Sequence, residues 1–321
     1  MLSKMINTIS GKDTKIVFTE GCEPRILIAA ARLNAEKLLK PILLGEENAV
    51  REAAKNCGAD IADITIINPE TYPGMDAMVN KMVELRKGKM DEDACRKALK
   101  AGNYFGTMLV AMGEADGLVG GATYSTADTV RPALQLVKTK PGAKLVSSAF
   151  ILVKENQKYV MSDCAININP DADALVEIAL ETARTARVFG VEPRVGLLSY
   201  STKGSGKGEA VDKVRIATER LQAMKPDFPV DGEFQFDAAI SPVVAETKAP
   251  DSKVAGTCNT FIFPNIEAGN IGYKIAQRLG GYEAVGPILQ GLNAPINDLS
   301  RGCNAEEVYK VAIITAAQKY F

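Results

Sequence analysis

The sequence predicts an α/β protein of two domains whose β-sheets are mostly parallel. Its 321 residues exceed what a single hydrophobic core usually supports. Short apolar runs alternate with helical patterns from the start of the chain, which is typical of βαβ units. The hydrophobic fraction, 46%, is sufficient for a sheet covered by helices on both faces in each domain.

The alternation is clearest in the first 121 residues. Apolar runs are bounded by polar or glycine-containing turns, and the segments between them carry apolar residues at helical spacing. These patterns predict strands at residues 15–19, 42–44, 64–67 and 116–121, and helices at residues 24–39 and 46–57.

The second domain begins differently. A basic stretch at residues 138–144, which contains Pro141 and Gly142, predicts a crossing between the domains. Two strands with a polar segment between them then predict a β-hairpin. After further helices and strands, a last strand and a closing helix from Asn304 would return the chain to the first domain. The predicted segments are strands 145–153, 159–166, 194–200 and 285–289 and a helix between residues 170 and 190, and the predicted domains are residues 1–141 with 288–321, and residues 142–287.

Composition excludes several classes of partner. Lys plus Arg number 38 and Asp plus Glu number 39, so no global field attracts nucleic acid or an acidic membrane. The six cysteines are scattered without a CxxC pair, which predicts reduced thiols. The N-terminus lacks a signal-peptide pattern, and no window reaches the ~18 uninterrupted apolar residues of a membrane span. We therefore expect a cytoplasmic protein that binds neither nucleic acid nor membranes.

The segment STADTVRP, residues 125–132, offers an anion site. Arg131 directly precedes a proline, which is tolerated in the first turn of a helix. If a helix begins near Thr129 and runs to about residue 137, its backbone amides and Arg131 converge on one point, as in phosphate sites. Ser125, Thr129 and Arg131 are therefore candidates for substrate binding. The alternative is a surface arginine near a capped helix.

The loop STKGSGKG, residues 201–208, follows a predicted strand. It is not a Walker A sequence, because Lys207 is followed by Gly208 where Ser or Thr is required. What remains is a flexible glycine turn. Lys203 and Ser205 could help it to cradle a phosphate, or the turn could simply connect a strand to a helix.

Two other groups of residues carry weaker signals. Cys164 is predicted to end a strand, and the chain has no histidine to activate it, so a structural or site-lining thiol is favoured over a nucleophile. Short acidic clusters more often cap helices or remain solvated than bind a metal. We therefore predict no protein-bound metal at the cluster formed by Asp231, Glu233, Asp237 and Asp251.

The segment NDLSRG, residues 297–302, together with the helix start that follows, places three reactive groups close in sequence. Ser300 supplies a hydroxyl, Arg301 a guanidinium and Glu307 a carboxylate. Because the chain contains no histidine, proton transfer near neutral pH must use another side chain. Glu307 also fits a capping box with Asn304. A cap and a base are not exclusive.

Taken together, these segments resemble the phosphate acetyltransferase family, also called phosphotransacetylase. The resemblance covers nearly the whole chain and implies two three-layer α/β/α domains of the isocitrate and isopropylmalate dehydrogenase type. It further implies an active cleft between the domains and a homodimer formed through the second domain. The segments that carry it stand in the expected order: STADTVRP, SDCAININP, STKGSG, DGEFQFDAA, KAPDS, GNIGYKIAQRLGG, GPILQG and NDLSRG.

The resemblance implies a reversible reaction of acetyl-CoA with phosphate to give acetyl phosphate and CoA, without an acyl-enzyme or a bound cofactor. Arg86 and Arg131 would bind the phosphoryl group. Ser300 would hydrogen-bond at the reacting thiol, and Arg301 would stabilise charge on the acetyl oxygen. Glu307 stands at the family's base position, where aspartate is usual.

Three alternatives remain open. A phosphate butyryltransferase would differ only in the size of its acyl pocket. A dehydrogenase could share the fold, although the chain lacks a dinucleotide glycine fingerprint. A non-catalytic acyltransferase-like regulatory domain is the third, against which the presence of Ser300 and Arg301 argues.

Overall fold

The structure, a computed structural model, describes residues 2–321 and divides them into two compact units. The first unit comprises the described residues up to Gly142 together with Leu292–Phe321, and the second is Ala143–Gly291. The first crossing therefore falls inside the basic stretch at residues 138–144. The chain returns to the first unit at Leu292, whereas the sequence places this return at residue 288.

The first unit is built on a parallel sheet of five strands in the order β11-β4-β1-β2-β3. Its strands are β1 (Lys15–Phe18), β2 (Lys40–Leu44), β3 (Thr65–Ile67), β4 (Gly117–Gly120) and β11 (Ile296–Asp298). Its helices are α1 (Leu2–Ile9), α2 (Pro24–Ala35), α3 (Glu47–Cys57), α4 (Met75–Arg86), α5 (Glu92–Ala98), α6 (Gly102–Ala111), α7 (Thr126–Pro132) and α13 (Ala305–Gln318), and a π-helical segment, Ala133–Val137, follows α7.

Helices cover both faces of this sheet. Val17 of β1 packs with Met82 of α4 and Phe105 of α6. Its neighbours Ile16 and Phe18 point to the opposite face, because side chains alternate along a strand, and they are fully buried there. Helices α2 and α13, which pack against each other, cover that second face. The first unit is thus a three-layer α/β/α sandwich.

The second unit contains a mixed sheet of six strands in the order β10-β5-β6-β9-β7-β8. The hairpin of β5 and β6 and the pairing of β10 with β5 are antiparallel, whereas β6, β9, β7 and β8 are parallel. The strands are β5 (Ser147–Lys154), β6 (Gln157–Ser162), β7 (Val195–Leu198), β8 (Val230–Phe234), β9 (Thr260–Ile262) and β10 (Glu283–Gln290), and the helices are α8 (Ala172–Val188), α9 (Glu209–Ala223), α10 (Phe236–Ile240), α11 (Pro242–Lys248) and α12 (Ile266–Arg278).

The second sheet is also covered on both faces. Ile262 of β9 packs with Leu175 of α8 and Val214 of α9. Its neighbour Phe261 lies in a separate cluster with residues of α10 and α12. The fold class predicted from the sequence, two α/β domains with mostly parallel sheets, is confirmed. Among the described residues, no helix combines the length and apolar composition needed to cross a membrane.

Some predicted elements were wrong in detail. The strand predicted at residues 285–289 does not return to the first domain, because β10 pairs with β5 in the second sheet. The strand predicted at residues 159–166 ends at Ser162, where Asp163 begins a loop. The helix predicted at residues 24–39 ends at Ala35, shortly before Lys37 adopts a φ of 54°. Helix α1 was not predicted at all.

Candidate active site

The candidate site of the first unit lies where its central strands end. The chain leaves β1 toward β2 and later returns to β4 on the other side of β1. Ligands of open parallel sheets bind at such a reversal, beyond the carboxyl ends of the strands. The segments that leave β1, β4 and β11 here carry Glu20, Ser125 and Ser300.

Helix α7 begins at Thr126, three residues before the predicted start. Ser125 occupies the N-cap position, but its hydroxyl donates to Asp128 Oδ2 at 2.6 Å and does not accept from a helix amide. The hydroxyl of Thr129 is buried and donates to Asp298 Oδ1 at 2.5 Å. Both hydroxyl protons are therefore already committed to carboxylates.

Arg131 is the exposed cation of this helix. Its side chain is 56% exposed, and the nearest acidic atom to its Nη1 is Asp128 Oδ1 at 3.5 Å. This contact is at the limit of a hydrogen bond, so the guanidinium remains able to bind an anion.

The loop from Leu299 to Cys303 presents two of the predicted catalytic side chains to solvent. Ser300 and Arg301 are exposed, and no ion pair holds the Arg301 guanidinium within residues 2–321. The loop backbone is nevertheless fixed, because the Leu299 amide donates to Gly120 O at 2.7 Å and the Cys303 amide donates to Ser300 O at 2.9 Å.

Arg25, at the start of α2, links this loop to the loop after β4. Its Nη1 donates to the carbonyl oxygens of Arg301 at 2.8 Å and Cys303 at 3.0 Å, and its Nη2 donates to Ala122 O at 3.0 Å. One guanidinium thus holds the backbones of two loops together. An ion pair with Glu23 at 2.7 Å orients Arg25.

Glu20 holds the loop after β4 from the other side. Its carboxylate accepts from the backbone amides of Gly121 at 3.0 Å, Ala122 at 3.2 Å and Thr123 at 2.5 Å. The Thr123 hydroxyl donates to the same carboxylate at 2.6 Å. The backbone donors of this loop are therefore satisfied within the protein and do not themselves bind an anion.

Asp298, the last residue of β11, is a buried carboxylate with only 1% of its surface exposed. Thr126 donates to its Oδ2 at 2.6 Å, and Thr129 donates to its Oδ1. Burial raises the pKa of Asp298 to about 6, and the nearby charge of Glu20 acts in the same direction, while the two hydroxyls oppose the shift. No cation is paired with this carboxylate among the described residues.

Glycines allow these polar groups to approach. A Cβ atom at Gly121, whose φ is +102°, would overlap Asp298 Oδ1. A Cβ atom at Gly120 would overlap both Tyr124 Oη and Thr19 Oγ1, which lie 2.7 Å from each other. The glycines at the end of β4 therefore serve close packing against polar side chains.

Glu307 lies at the third position of α13 and forms the predicted capping box. The Asn304 amide donates to Glu307 Oε2 at 3.0 Å, and the Glu307 amide donates to Asn304 Oδ1 at 2.9 Å. The second carboxylate oxygen has no protein donor within the described part of the chain. The cap is confirmed, and the catalytic role of Glu307 stays a prediction.

Arg86 is the last residue of α4, which packs against the π-helical segment that continues α7. Its Nε atom is buried without a hydrogen-bond partner within residues 2–321. Within residues 2–321, no hydrogen bond or ion pair joins Arg86 to Arg131 or Arg301, and the packing of α4 relates it to the other site residues.

The remaining predicted residues belong to the second unit. Cys164 is fully buried, and burial first, with Asp163 second, raises its pKa well above the ordinary value. Asp163 organises the loop around it by accepting from the amides of Ala165 at 3.1 Å and Asn167 at 2.9 Å. A buried thiol with a raised pKa fits the structural assignment better than a nucleophile.

The glycine loop of the second unit is held by its own carboxylates. Lys203 Nζ donates to Asp231 Oδ1 at 2.5 Å and to Gly232 O at 2.7 Å. Glu233 accepts from the Gly204 amide at 2.7 Å. The Ser205 hydroxyl accepts from the Thr202 amide at 3.0 Å. Several donors that could cradle a phosphate are thus used within the protein.

The same contacts account for much of the acidic cluster. Asp231 is bound by Lys203 and by the Ser252 hydroxyl at 2.5 Å, and Asp237 pairs with Lys248 at 2.8 Å. These carboxylates serve as hydrogen-bond acceptors for neighbouring protein groups.

A recess of about 550 Å³ lies elsewhere on the first unit, beside the carboxyl ends of β2 and β3. None of the predicted site residues lines it. Its walls include the helix-capping Glu46, Asn48, Asn68 and Tyr72.

Sequence reasoning did not assign roles to Glu20, Arg25 and Asp298. Each stands at or just beyond the end of a strand, or at the start of a helix, on the edge of the sheet where ligands bind. That position is the signal that could have identified them.

Comparisons with known proteins identify the family of this chain. The profile described as "Phosphate acetyl/butaryl transferase" matches residues 1–316. A phosphate acetyltransferase of Bacillus subtilis (strain 168) is 56% identical over 318 residues, covering 99% of this chain and 98% of that protein. A phosphotransacetylase structure from Streptococcus pyogenes superimposes with a TM-score of 0.96 at 55% identity, covering 99% and 97% of the two chains. The EutD phosphotransacetylase from Staphylococcus aureus gives a TM-score of 0.91 at 52% identity, covering 99% of both. The chain therefore belongs to the phosphate acetyl/butaryl transferase family.

Proposed function

We propose that the chain catalyses reversible transfer of an acetyl group between CoA and phosphate, using the loop from Leu299 to Cys303 and helix α7. The chain is an acyltransferase by its family. The single observation that carries the site is the exposure of Arg301 and Arg131 on two segments joined by the hydrogen bonds of Thr126 and Thr129 to the buried Asp298. Two guanidinium groups on segments that share Asp298 suit a phosphate and a developing oxyanion.

The chemistry needs no covalent enzyme intermediate. A phosphate oxygen attacks the thioester carbonyl, forming a C–O bond and placing negative charge on the carbonyl oxygen. Collapse of this adduct breaks the C–S bond, and the proton given up by phosphate ends on the sulfur of CoA. Arg301 stabilises the oxyanion, Ser300 donates to the sulfur, and Arg131 with Arg86 holds the phosphate.

In the reverse direction, the thiol of CoA must lose its proton. A thiol pKa near 8.5 leaves only a few per cent of thiolate at neutral pH, so a well-positioned base contributes even when it is weak. We assign this role to Glu307, whose second carboxylate oxygen is not used by the helix cap. The capping box holds the other carboxylate oxygen, which restricts the orientation of the side chain.

Ser125, Thr129, Lys203 and Ser205 remain proposed substrate-binding residues, whereas for the fully buried Cys164 we propose the structural alternative. Because the hydroxyls of Ser125 and Thr129 donate to carboxylates, we expect these two to act mainly by shaping α7. The ammonium of Lys203 can donate three hydrogen bonds. It donates to Asp231 and to Gly232, so one donor remains for a ligand.

We also propose that the protein acts as a homodimer in the cytoplasm. Helix α12 exposes Ile271 and Ile275, and its C-cap residue Leu279, four residues further on, is 85% exposed. An apolar stripe of this kind fits a second copy of the same chain. Light scattering should give twice the chain mass, and the double substitution of Ile271 and Ile275 by Glu should give the monomer. All six cysteines are unpaired, as expected in a reducing compartment.

The decisive test is release of free thiol from acetyl-CoA, followed with a thiol reagent. We expect release that depends on added phosphate or arsenate, with acetyl-CoA used faster than butyryl-CoA at equal concentration. Thiol release without either anion would indicate simple hydrolysis. No release under any condition would contradict the proposed function, and faster use of butyryl-CoA would change the assigned acyl group.

A further inference from the structure

Asp298 is a buried carboxylate that connects the two predicted parts of the site. It ends β11, two residues before Ser300 and three before Arg301, and its side chain binds the helix that carries Arg131. We propose that Asp298 is a positioning residue that locks α7 to the Ser300–Arg301 loop, so that Arg131 and Arg301 are held in one rigid frame. This inference rests on the function proposed above.

The contact with α7 is bidentate. Thr126 and Thr129 are three residues apart, which places them on the same face of the helix about one turn from each other. Each donates to a different oxygen of Asp298, at 2.6 Å and 2.5 Å. Two bonds from successive turns fix both the rotation of the helix about its axis and its position along that axis. Arg131 follows Thr129 by two residues and inherits this orientation.

On the side of the Ser300–Arg301 loop, Asp298 is fixed by the backbone of β11. Asp298 lies opposite Gly120 in the register of β11 with β4. The Leu299 amide continues this pairing by donating to Gly120 O at 2.7 Å. The loop that follows cannot shift relative to Asp298 without breaking the edge of the sheet. Displacement of α7 and displacement of the loop are thus coupled through one side chain.

The approach of Asp298 to the backbone is also close. Gly121 leaves no space for a Cβ atom beside Asp298 Oδ1. The carboxylate is therefore confined between β4, β11 and α7, and it cannot reorient to bind a ligand directly. Its contribution to the reaction must pass through the groups it holds.

The test compares kcat and KM of variants that keep or remove the hydroxyl of Thr126. We expect Thr126→Val to lower kcat at least tenfold, which corresponds to about 1.4 kcal/mol in the transition state, with less than a threefold change in the KM for acetyl-CoA. Thr126→Ser, which keeps the donor, should retain at least half of the wild-type kcat. In an Asp298→Ala background, Thr126→Val should cause less than a further twofold loss, because the bond is already absent.

The matched control is Thr315→Val. Thr315 is buried in α13 and accepts a hydrogen bond from Asn297 Nδ2 at 2.9 Å, so it braces the opposite face of the same strand. We expect a lowered melting temperature and a kcat within twofold of wild type. Equal kcat losses in Thr315→Val and Thr126→Val, or a Thr126→Val kcat within twofold of wild type, would overturn the positioning role while leaving the proposed function intact. An inactive wild-type enzyme would instead contradict the function itself.

Discussion

The two units each contain a glycine-bearing segment that follows a buried strand and carries basic residues, yet they use their carboxylates in opposite ways. In the first unit, Glu20 and Asp298 bind backbone amides and threonine hydroxyls, and the guanidinium groups of Arg131 and Arg301 stay exposed. In the second unit, Asp231 binds the ammonium of Lys203 itself.

The difference shows what an anion site requires beyond basic residues. A carboxylate that braces the backbone preserves the charge of nearby cations for a ligand, whereas a carboxylate that pairs with the cation reduces the field a ligand would experience. The first arrangement is expected to be the stronger anion site.

The largest expected effect is that of removing the cation of the loop from Leu299 to Cys303. Arg301→Ala should lower turnover at least a hundredfold with a modest change in substrate KM, because the side chain stabilises charge that develops only in the transition state, worth ~3 kcal/mol. Steady-state kinetics of thiol release measures this. Arg51→Ala is the control, since Arg51 pairs with Glu47 on the exposed surface of α3. Unchanged turnover in Arg301→Ala would remove the proposed role of this residue.

The buried carboxyl group of Asp298 should make the stability of the protein depend on pH. The pKa of Asp298 is raised to about 6 in the folded state, so protonation of this carboxyl favours folding. The resulting contribution to the free energy of unfolding is fully present below the unfolded pKa near 4 and is lost as the pH rises through 6. Relative to Asp298→Asn, the free energy of unfolding of the wild type should therefore fall by up to about 3 kcal/mol between pH 4 and pH 7.

Urea denaturation of both proteins across this pH range provides the measurement. The comparison with Asp298→Asn cancels the titration of the groups that both proteins share. A difference that stays constant with pH would mean that Asp298 titrates normally.

The loop of the second unit should respond to substitution mainly in stability. Lys203→Met leaves the largely buried Asp231 without its cation, at a cost of about 1–3 kcal/mol in the free energy of unfolding. Its effect on turnover should be far smaller than that of Arg301→Ala. Denaturation and thiol-release kinetics on the same preparation separate the two. A loss of turnover equal to that of Arg301→Ala would show that the glycine loop is an equally important anion site.

The smallest effect on stability is expected at Glu307, in which a structural role and a chemical role share one side chain. Glu307→Gln keeps an oxygen that can accept from the Asn304 amide, so the capping box and the melting temperature should be preserved. Turnover should nevertheless fall about tenfold or more, because the amide cannot take a proton. If Glu307→Gln keeps full turnover in both directions, Glu307 is only a cap.

Much of the fold was predictable because local patterns agree with it. The apolar alternation located β1, β2 and β4 within a few residues, and the Asn304 and Glu307 pattern identified the start of α13. Element ends were less accurate, since a turn such as that at Lys37 depends on backbone geometry that residue type only biases. The strand at Glu283–Gln290 was assigned to the wrong domain, because pairing with β5 is a long-range choice that no local pattern encodes.

The sequence alone determined the α/β class and excluded histidine from any proton transfer. It also contains ordered segments that resemble those of an acyltransferase family. Only the tertiary structure decided which polar groups are free to act. Whether Arg131 and Arg301 remain available, while Lys203 is paired, depends on which carboxylates fold against them. Those contacts join residues as far apart as Thr129 and Asp298, and the free energy of such a pair depends on burial and distance, which the chain acquires only when it folds.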